Sequence, residues 1–210
     1  MVSDMSDEQT VIQQPGKTQS RMHSKTIRAF YAIKLNEQTR AATQQVVEKL
    51  KSLEWSQFVR WIPVNNLHIT MRFLGDVTHQ QLEQMNAAFT EKLENSAPFS
   101  IEFKEPRLFP HFRKPKVVAI LIPHNEEMAR LAELLEQCAI DAGLEPQTRQ
   151  FKAHLTLGRC NKSFPKRIKI DPMPLALNLP VNSVSLYQSL LSESGPTYIE
   201  LKTFPLRGTV

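Results

Sequence analysis

Along the chain, short stretches with a period of two alternate with longer stretches near 3.6. These are the marks of half-buried strands and of amphipathic helices. Residues 25–35 read as a strand, with Ile27, Ala29, Tyr31 and Ile33 on one parity. Asn36 is placed to cap a helix reaching residue 53, in which Ala42, Val46, Leu50 and Leu53 fall near one face. Thr78 and Gln81 have the spacing of a capping box, and Leu82, Met85, Phe89 and Leu93 follow at helical intervals. A third helix follows Asn125, with Met128, Leu131, Leu135 and Cys138 in one stripe and Gly143 as its stop. Cys138 is then a small buried hydrophobe. Further strands are expected over residues 99–105 and 116–122. A hairpin is expected between 181–191 and 197–205, turning at Ser194, Gly195 and Pro196. Residues 55–66, 106–115 and 160–180 read as connections.

Two stretches echo each other: Leu67-His68-Ile69-Thr70-Met71 and Ala153-His154-Leu155-Thr156-Leu157. On a regular strand His68 and Thr70 share one face, as do His154 and Thr156, while Ile69, Met71, Leu155 and Leu157 face the other way. The first strand is expected over residues 67–74, ended by Gly75 and Asp76, and the second over 152–159. A single histidine on a strand is more often structural than catalytic. Two His/Thr pairs in one chain, each backed by apolar residues, reverse that weighting. Imidazoles titrate near neutrality, so a pair can divide the work of removing and delivering a proton. A regular first strand also puts Arg72 on the parity of His68 and Thr70. Arg159 falls off the parity of His154 and Thr156, and a bulge or strand end at Gly158 would turn it back. Residues 25–74 and 116–159 repeat the order strand, helix, motif strand. Two lobes related by a pseudo-twofold axis are therefore expected, with the motif strands facing across a cleft.

Length and composition narrow the class. The 210 residues suffice for one large domain or two small lobes. Residues 1–24 are polar and are expected to be a disordered tail, leaving 25–210 as the folded unit. No apolar run approaches the roughly 18 residues of a membrane span, and no secretory signal pattern opens the chain. With two cysteines, Cys138 and Cys160, there is neither a disulfide framework nor a metal spacing, and a cytoplasmic location is expected. The net charge is +5. Arg149, Lys152, Arg159, Lys162, Lys166, Arg167 and Lys169 surround the second motif with no acidic residue among them. Arg107, His111, Arg113, Lys114 and Lys116 cluster between the motifs. A solvated basic surface is the plain reading of any one of them. Together they suit a polyanion, nucleic acid foremost.

The longer stretches Leu67-His-Ile-Thr-Met-Arg-Phe-Leu-Gly75 and His154-Leu-Thr-Leu-Gly-Arg159 resemble the two-histidine (2H) phosphoesterase superfamily. Within it they resemble the RNA 2′,3′-cyclic phosphodiesterases, also called 2′-5′ RNA ligases. Arg107-Leu-Phe-Pro110 and residues 189–198 share that likeness. The resemblance implies an α+β fold: two pseudo-symmetric lobes of antiparallel sheet, outer helices, and a V-shaped cleft carrying both motifs. It implies metal-free hydrolysis of an RNA 2′,3′-cyclic phosphate to a 2′-phosphomonoester, and in some members 2′-5′ ligation. By correspondence His68 is the proton donor to the departing 3′-oxygen and His154 the base. Thr70 and Thr156 bind phosphate oxygens, and Arg159 matches a basic position after the second motif. No cofactor is implied. The expected partner is RNA with 2′,3′-cyclic phosphate ends, tRNA fragments among them, and the expected state is a monomer.

Three other readings compete. One is a 2H enzyme acting on another 2′-5′ or cyclic phosphodiester. Another is an RNA-end binding protein without turnover, against which the intact pairs weigh. The third is a metal hydrolase collecting His68, His111 and His154, for which no His-Glu-x-x-His pattern or acidic cluster exists. A covalent nucleophile lacks a motif, and Cys160 has no identifiable partner.

Overall fold

The computed structural model describes residues 26–173, 175, 177–193 and 195–208. The expected tail, residues 1–24, lies outside the described residues, as do Lys25 and the turn residue Ser194. Among the described residues ten strands and three helices follow in order. They are β1 (Thr26–Lys34), α1 (Glu37–Lys51), β2 (Val59–Trp61), β3 (His68–Thr78), α2 (His79–Lys92), β4 (Phe99–Glu102) and β5 (Pro106–Phe109). After these come β6 (Val117–Leu121), α3 (Glu126–Asp141), β7 (His154–Cys160), β8 (Asn178–Val181), β9 (Ser183–Ser192) and β10 (Gly195–Pro205). Short 3-10 turns at Glu54–Phe58 and Val64–Asn66 flank β2.

The helices begin where the side chains dictate. Asn36 accepts a hydrogen bond from the Thr39 amide at 2.8 Å, and Asn125 accepts one from Met128 at 2.9 Å. Thr78 and Gln81 complete a capping box. The expected stripes are buried, with Met85, Phe89, Leu135 and Cys138 each 1% exposed or less. All three helices bury their apolar faces in one core with the sheet. Tyr31 of β1 reaches α2, its hydroxyl donating to Asn86 Oδ1 at 2.8 Å and its ring packing on Phe89.

The fold is α+β with antiparallel sheets. One hydrogen-bonded path runs β10-β9-β1-β3-β7-β6-β5, with β2 as an additional partner of β7, and β4 and β8 form a separate pair. Two strand pairs within the path repeat one another. In one, β1 lies against β3 with Ile33 opposite Ile69 and Ala32 opposite Thr70. In the other, β6 lies against β7 with Ile120 opposite Leu155 and Ala119 opposite Thr156. Among the described residues the two strand pairs are joined in the sheet at one position, Ile69 of β3 opposite Leu155 of β7, both fully buried. Beyond that pair β3 and β7 part, and β2 takes the vacated edge of β7.

Four expectations need correction. The stretch 160–180, expected as a connection, ends in strand β8, whose Asn178, Leu179 and Pro180 pair with Glu102, Ile101 and Ser100 of β4. Residues 55–66 contain a strand, β2, because Val59 and Trp61 can bury one face of a short extended run. Residues 106–115 open with β5, paired to β6. Gly75 does not end the first motif strand. Its φ of 75° marks a bulge, where Gly75 pairs with Ala29 and Phe73 with Phe30, leaving Leu74 extra, and the strand runs on to Thr78.

Candidate active site

Each motif strand carries a bulge immediately after its threonine. Thr70 faces Ala32 and Arg72 faces Tyr31, so Met71 is extra. Thr156 faces Ala119 and Gly158 faces Val118, so Leu157 is extra. A bulge sets two successive residues on the same side and inverts the parity that follows. Burial follows suit in both strands: the histidine and threonine are half-buried, the residues between them buried, the next two both buried, and the fifth after the histidine exposed.

This inversion moves two arginines. Arg72, expected beside His68 and Thr70, lies on the core side. Its side chain is 7% exposed and its Nε stands 2.6 Å from Glu136 Oε2 of α3. Its remaining nitrogens donate to the carbonyls of Phe73 at 2.6 Å and Glu145 at 2.9 Å. It therefore ties β3 to α3 and is not available to a ligand on the histidine face. Arg159 moves the opposite way. It is exposed and lines a cavity with Phe30 and Tyr198, and its charge bears on His68. The position equivalent to Arg159 in β3 is Phe73, which lines the same cavity and is 51% exposed.

The histidines are held alike. His68 Nδ1–H donates to the carbonyl of Asn66, and His154 Nδ1–H to that of Lys152, each at 2.7 Å. A carbonyl only accepts, so Nδ1 carries the hydrogen and Nε2 is left to exchange a proton with a ligand. His68 packs on Phe30 with ring centroids 4.8 Å apart and meets the edge of Tyr198 at 5.1 Å. His154 stacks on Phe109 at 4.8 Å. Burial pushes the His68 imidazolium below the ordinary histidine range; the bond to Asn66 opposes this, and Arg159 and His154 add to it. The antiparallel register at Ile69 and Leu155 brings His68 toward Thr156 and Thr70 toward His154. Among the described residues neither the Thr70 nor the Thr156 hydroxyl has a protein partner, so both are free to donate.

A smaller cavity of about 180 Å³ opens at His68 beside Asn66, Tyr187 and Tyr198. The cavity of about 350 Å³ adjoins it through Phe30 and Tyr198. Among the described residues, no group of three or more His, Cys, Asp and Glu side chains is gathered to hold a metal ion. Burial pushes the Cys160 thiol up to about 11, so it is protonated at neutral pH and a poor nucleophile.

Residues 33–119 match the model of the family described as LigT like phosphoesterase. The RNA 2′,3′-cyclic phosphodiesterase of Methanothermobacter thermautotrophicus is 30% identical over 186 residues, covering 86% of this chain and 99% of that one. Its counterpart in Thermus thermophilus is 31% identical over 190 residues, covering 87% and 91%.

The chain belongs to the LigT-like phosphoesterase family.

The fold agrees with that membership. The crystal structure of TT0787 of Thermus thermophilus superposes with a TM-score of 0.76 at 29% identity, covering 87% of this chain and 99% of that one. Escherichia coli LigT in its apo form shares the fold, with a TM-score of 0.73 at 22% identity, covering 87% and 98%. For a LigT-like phosphoesterase, four residues singled out in the sequence, His68, Thr70, His154 and Thr156, occupy two symmetric strands, with Arg159 brought in by the bulge. Sequence parity missed Phe30, Arg60, Phe73 and Tyr198. The run Phe58-Val-Arg-Trp-Ile62 was the available signal for β2, and with it for Arg60.

Proposed function

We infer that this chain is an RNA 2′,3′-cyclic phosphodiesterase working by acid/base catalysis between His68 and His154. The observation that carries this is the strand-for-strand repetition of a carbonyl-anchored histidine followed by an unengaged threonine. The relatives that share the whole folded length are RNA 2′,3′-cyclic phosphodiesterases. The parting of β3 and β7 beyond their single pair supports a V-shaped cleft between two lobes of one domain, residues 25–210.

In this reading the cyclic phosphate sits between the two Nε2 atoms. His154 accepts a proton from water as the water oxygen bonds to phosphorus. The bond from phosphorus to O3′ breaks, and His68 gives its proton to O3′. The product is a 2′-phosphomonoester with a free 3′-hydroxyl. Thr70, Thr156 and Arg159 donate to the nonbridging oxygens, where negative charge grows. Ligation is the same exchange with the hydroxyl of a second RNA end in place of water: its oxygen bonds to phosphorus, O3′ leaves with the proton from His68, and the product is a 2′-5′ linkage beside a free 3′-hydroxyl. One chain supplies every group, so a monomer acting in the cytoplasm on ends such as those of tRNA fragments suffices.

The test is turnover of a short RNA ending in 2′,3′-cyclic phosphate with EDTA present. Activity should persist, and His68→Ala or His154→Ala should each lower kcat by about 10²–10⁴-fold. Binding without turnover by the wild-type protein would favour an RNA-end binding protein instead.

A further inference from the structure

The cavity of about 350 Å³, which adjoins the one at His68 through Phe30 and Tyr198, holds more than one cyclic phosphate needs. Two of its lining residues are cross-strand partners, Arg60 of β2 directly opposite Arg159 of β7. Cross-strand partners project from the same face, and like charges so placed repel. Among the described residues neither guanidinium has a carboxylate or hydrogen-bond partner. Arg28 in the same cavity, by contrast, faces Asp76 at 3.9 Å. Two uncompensated arginines side by side call for more than one anionic group. The same cavity is lined by Phe73, half-exposed with its ring 5.6 Å from that of Phe30, and by Leu191 of the β9–β10 hairpin, 72% exposed. Paired guanidinium groups and an exposed aromatic ring lining one cavity suit a nucleotide, which offers a phosphate to the first and a base to the second.

Taken with the phosphodiesterase reading, on which this rests, the direction follows. A 2′,3′-cyclic phosphate ends the RNA, so the chain can continue only on the 5′ side of the reacting nucleotide. We propose that Arg60 and Phe73 form a subsite for the penultimate nucleotide. Arg60 holds the phosphodiester linking the last two nucleotides, and Phe73 stacks the penultimate base. Arg159 stays with the reacting phosphate. The enzyme then selects RNA ends over free 2′,3′-cyclic mononucleotides, although the chemistry at phosphorus is the same.

The experiment compares kcat/KM for 2′,3′-cyclic AMP and for a diadenylate ending in a 2′,3′-cyclic phosphate, in the wild type and in Arg60→Gln, Arg60→Lys and Phe73→Ala. The wild type should prefer the dinucleotide by about tenfold or more, since stacking alone is worth ~1–3 kcal/mol per base. Arg60→Gln and Phe73→Ala should each cut that preference by about five- to tenfold, and Arg60→Lys should keep most of it. A parallel fall on both substrates would place Arg60 at the reacting phosphate and overturn the subsite. So would a wild type indifferent to the second nucleotide. Failure of the wild type to turn over either compound would defeat the phosphodiesterase reading itself, and the subsite with it.

Discussion

His68 is the residue whose chemistry depends most on what occupies the site. Burial lowers its pKa in the free protein, so the imidazole loses its proton at a lower pH than an ordinary histidine. A phosphate diester beside it supplies the missing negative charge and raises that pKa. In the proposed mechanism His68 acts as the acid and must be protonated, so activity should fall as pH rises through its pKa. The alkaline limb of kcat/KM, which reports the free enzyme, should therefore lie below that of kcat, which reports the complex. His68→Ala should abolish the alkaline limb, and coincident limbs would contradict the binding-linked protonation. Proton NMR of the imidazole should show its pKa rising when a 2′-nucleotide binds. The histidines and threonines were legible in the sequence because residue type and parity alone mark them. The arginines were not: one extra residue, Met71 or Leu157, decides which side each occupies, and an apolar residue at a bulge looks like any other apolar residue in a strand.

Among the elements, β2 is the smallest and depends on Gly158. A Cβ at that position would stand 2.4 Å from Val59 Cγ1 and 3.3 Å from the Arg60 carbonyl. Gly158→Ala should therefore push β2 off β7, destabilising the fold by about 1–3 kcal/mol in the manner of an overpacked core. Arg60 would shift with it, so the same variant should lose preference for the dinucleotide, which a melting curve and the paired kinetic assay would show together. Unimpaired stability and preference would mean that β2 is free to yield. Arg72 serves the same architecture from beneath. Arg72→Ala removes the tie from β3 to α3 and leaves the Phe73 and Glu145 carbonyls without their donor, a change expected to cost about 1–3 kcal/mol. Urea denaturation should detect it, and a negligible loss would deny Arg72 its structural role. The helices were legible because caps and stripes are local signals. Strands β2 and β5 were not, since strands of three and four residues acquire their stability from partners distant in sequence.

Across the whole molecule, a nearly twofold scaffold carries an asymmetric site. The halves repeat their register residue by residue, yet the fifth position after the histidine is Phe73 in one and Arg159 in the other. That difference makes the cavity they line asymmetric, with a guanidinium from β7 and a ring from β3. The repeat of strand, helix and motif strand could be read from the sequence. The single pair that joins the halves could not, since it depends on β3 and β7 parting after Ile69 and Leu155. The net charge of +5 adds a long-range attraction to RNA that salt screens. With two phosphates held by Arg60 and Arg159, a rise of about fourfold in salt should reduce dinucleotide binding by about sevenfold. The mononucleotide should lose less, and equal losses would argue against a second phosphate contact.

The measurement that tests the two-histidine mechanism most directly is hydrolysis of a 2′,3′-cyclic phosphate RNA end in ¹⁸O-labelled water, followed by identification of the product isomer and its label. The mechanism requires a 2′-phosphomonoester with one ¹⁸O on phosphorus and a free 3′-hydroxyl, formed by the wild type and lost in His68→Ala and His154→Ala. A 3′-phosphate product would reverse the leaving group and the pose built on it. Undiminished product from either histidine variant would contradict the mechanism outright.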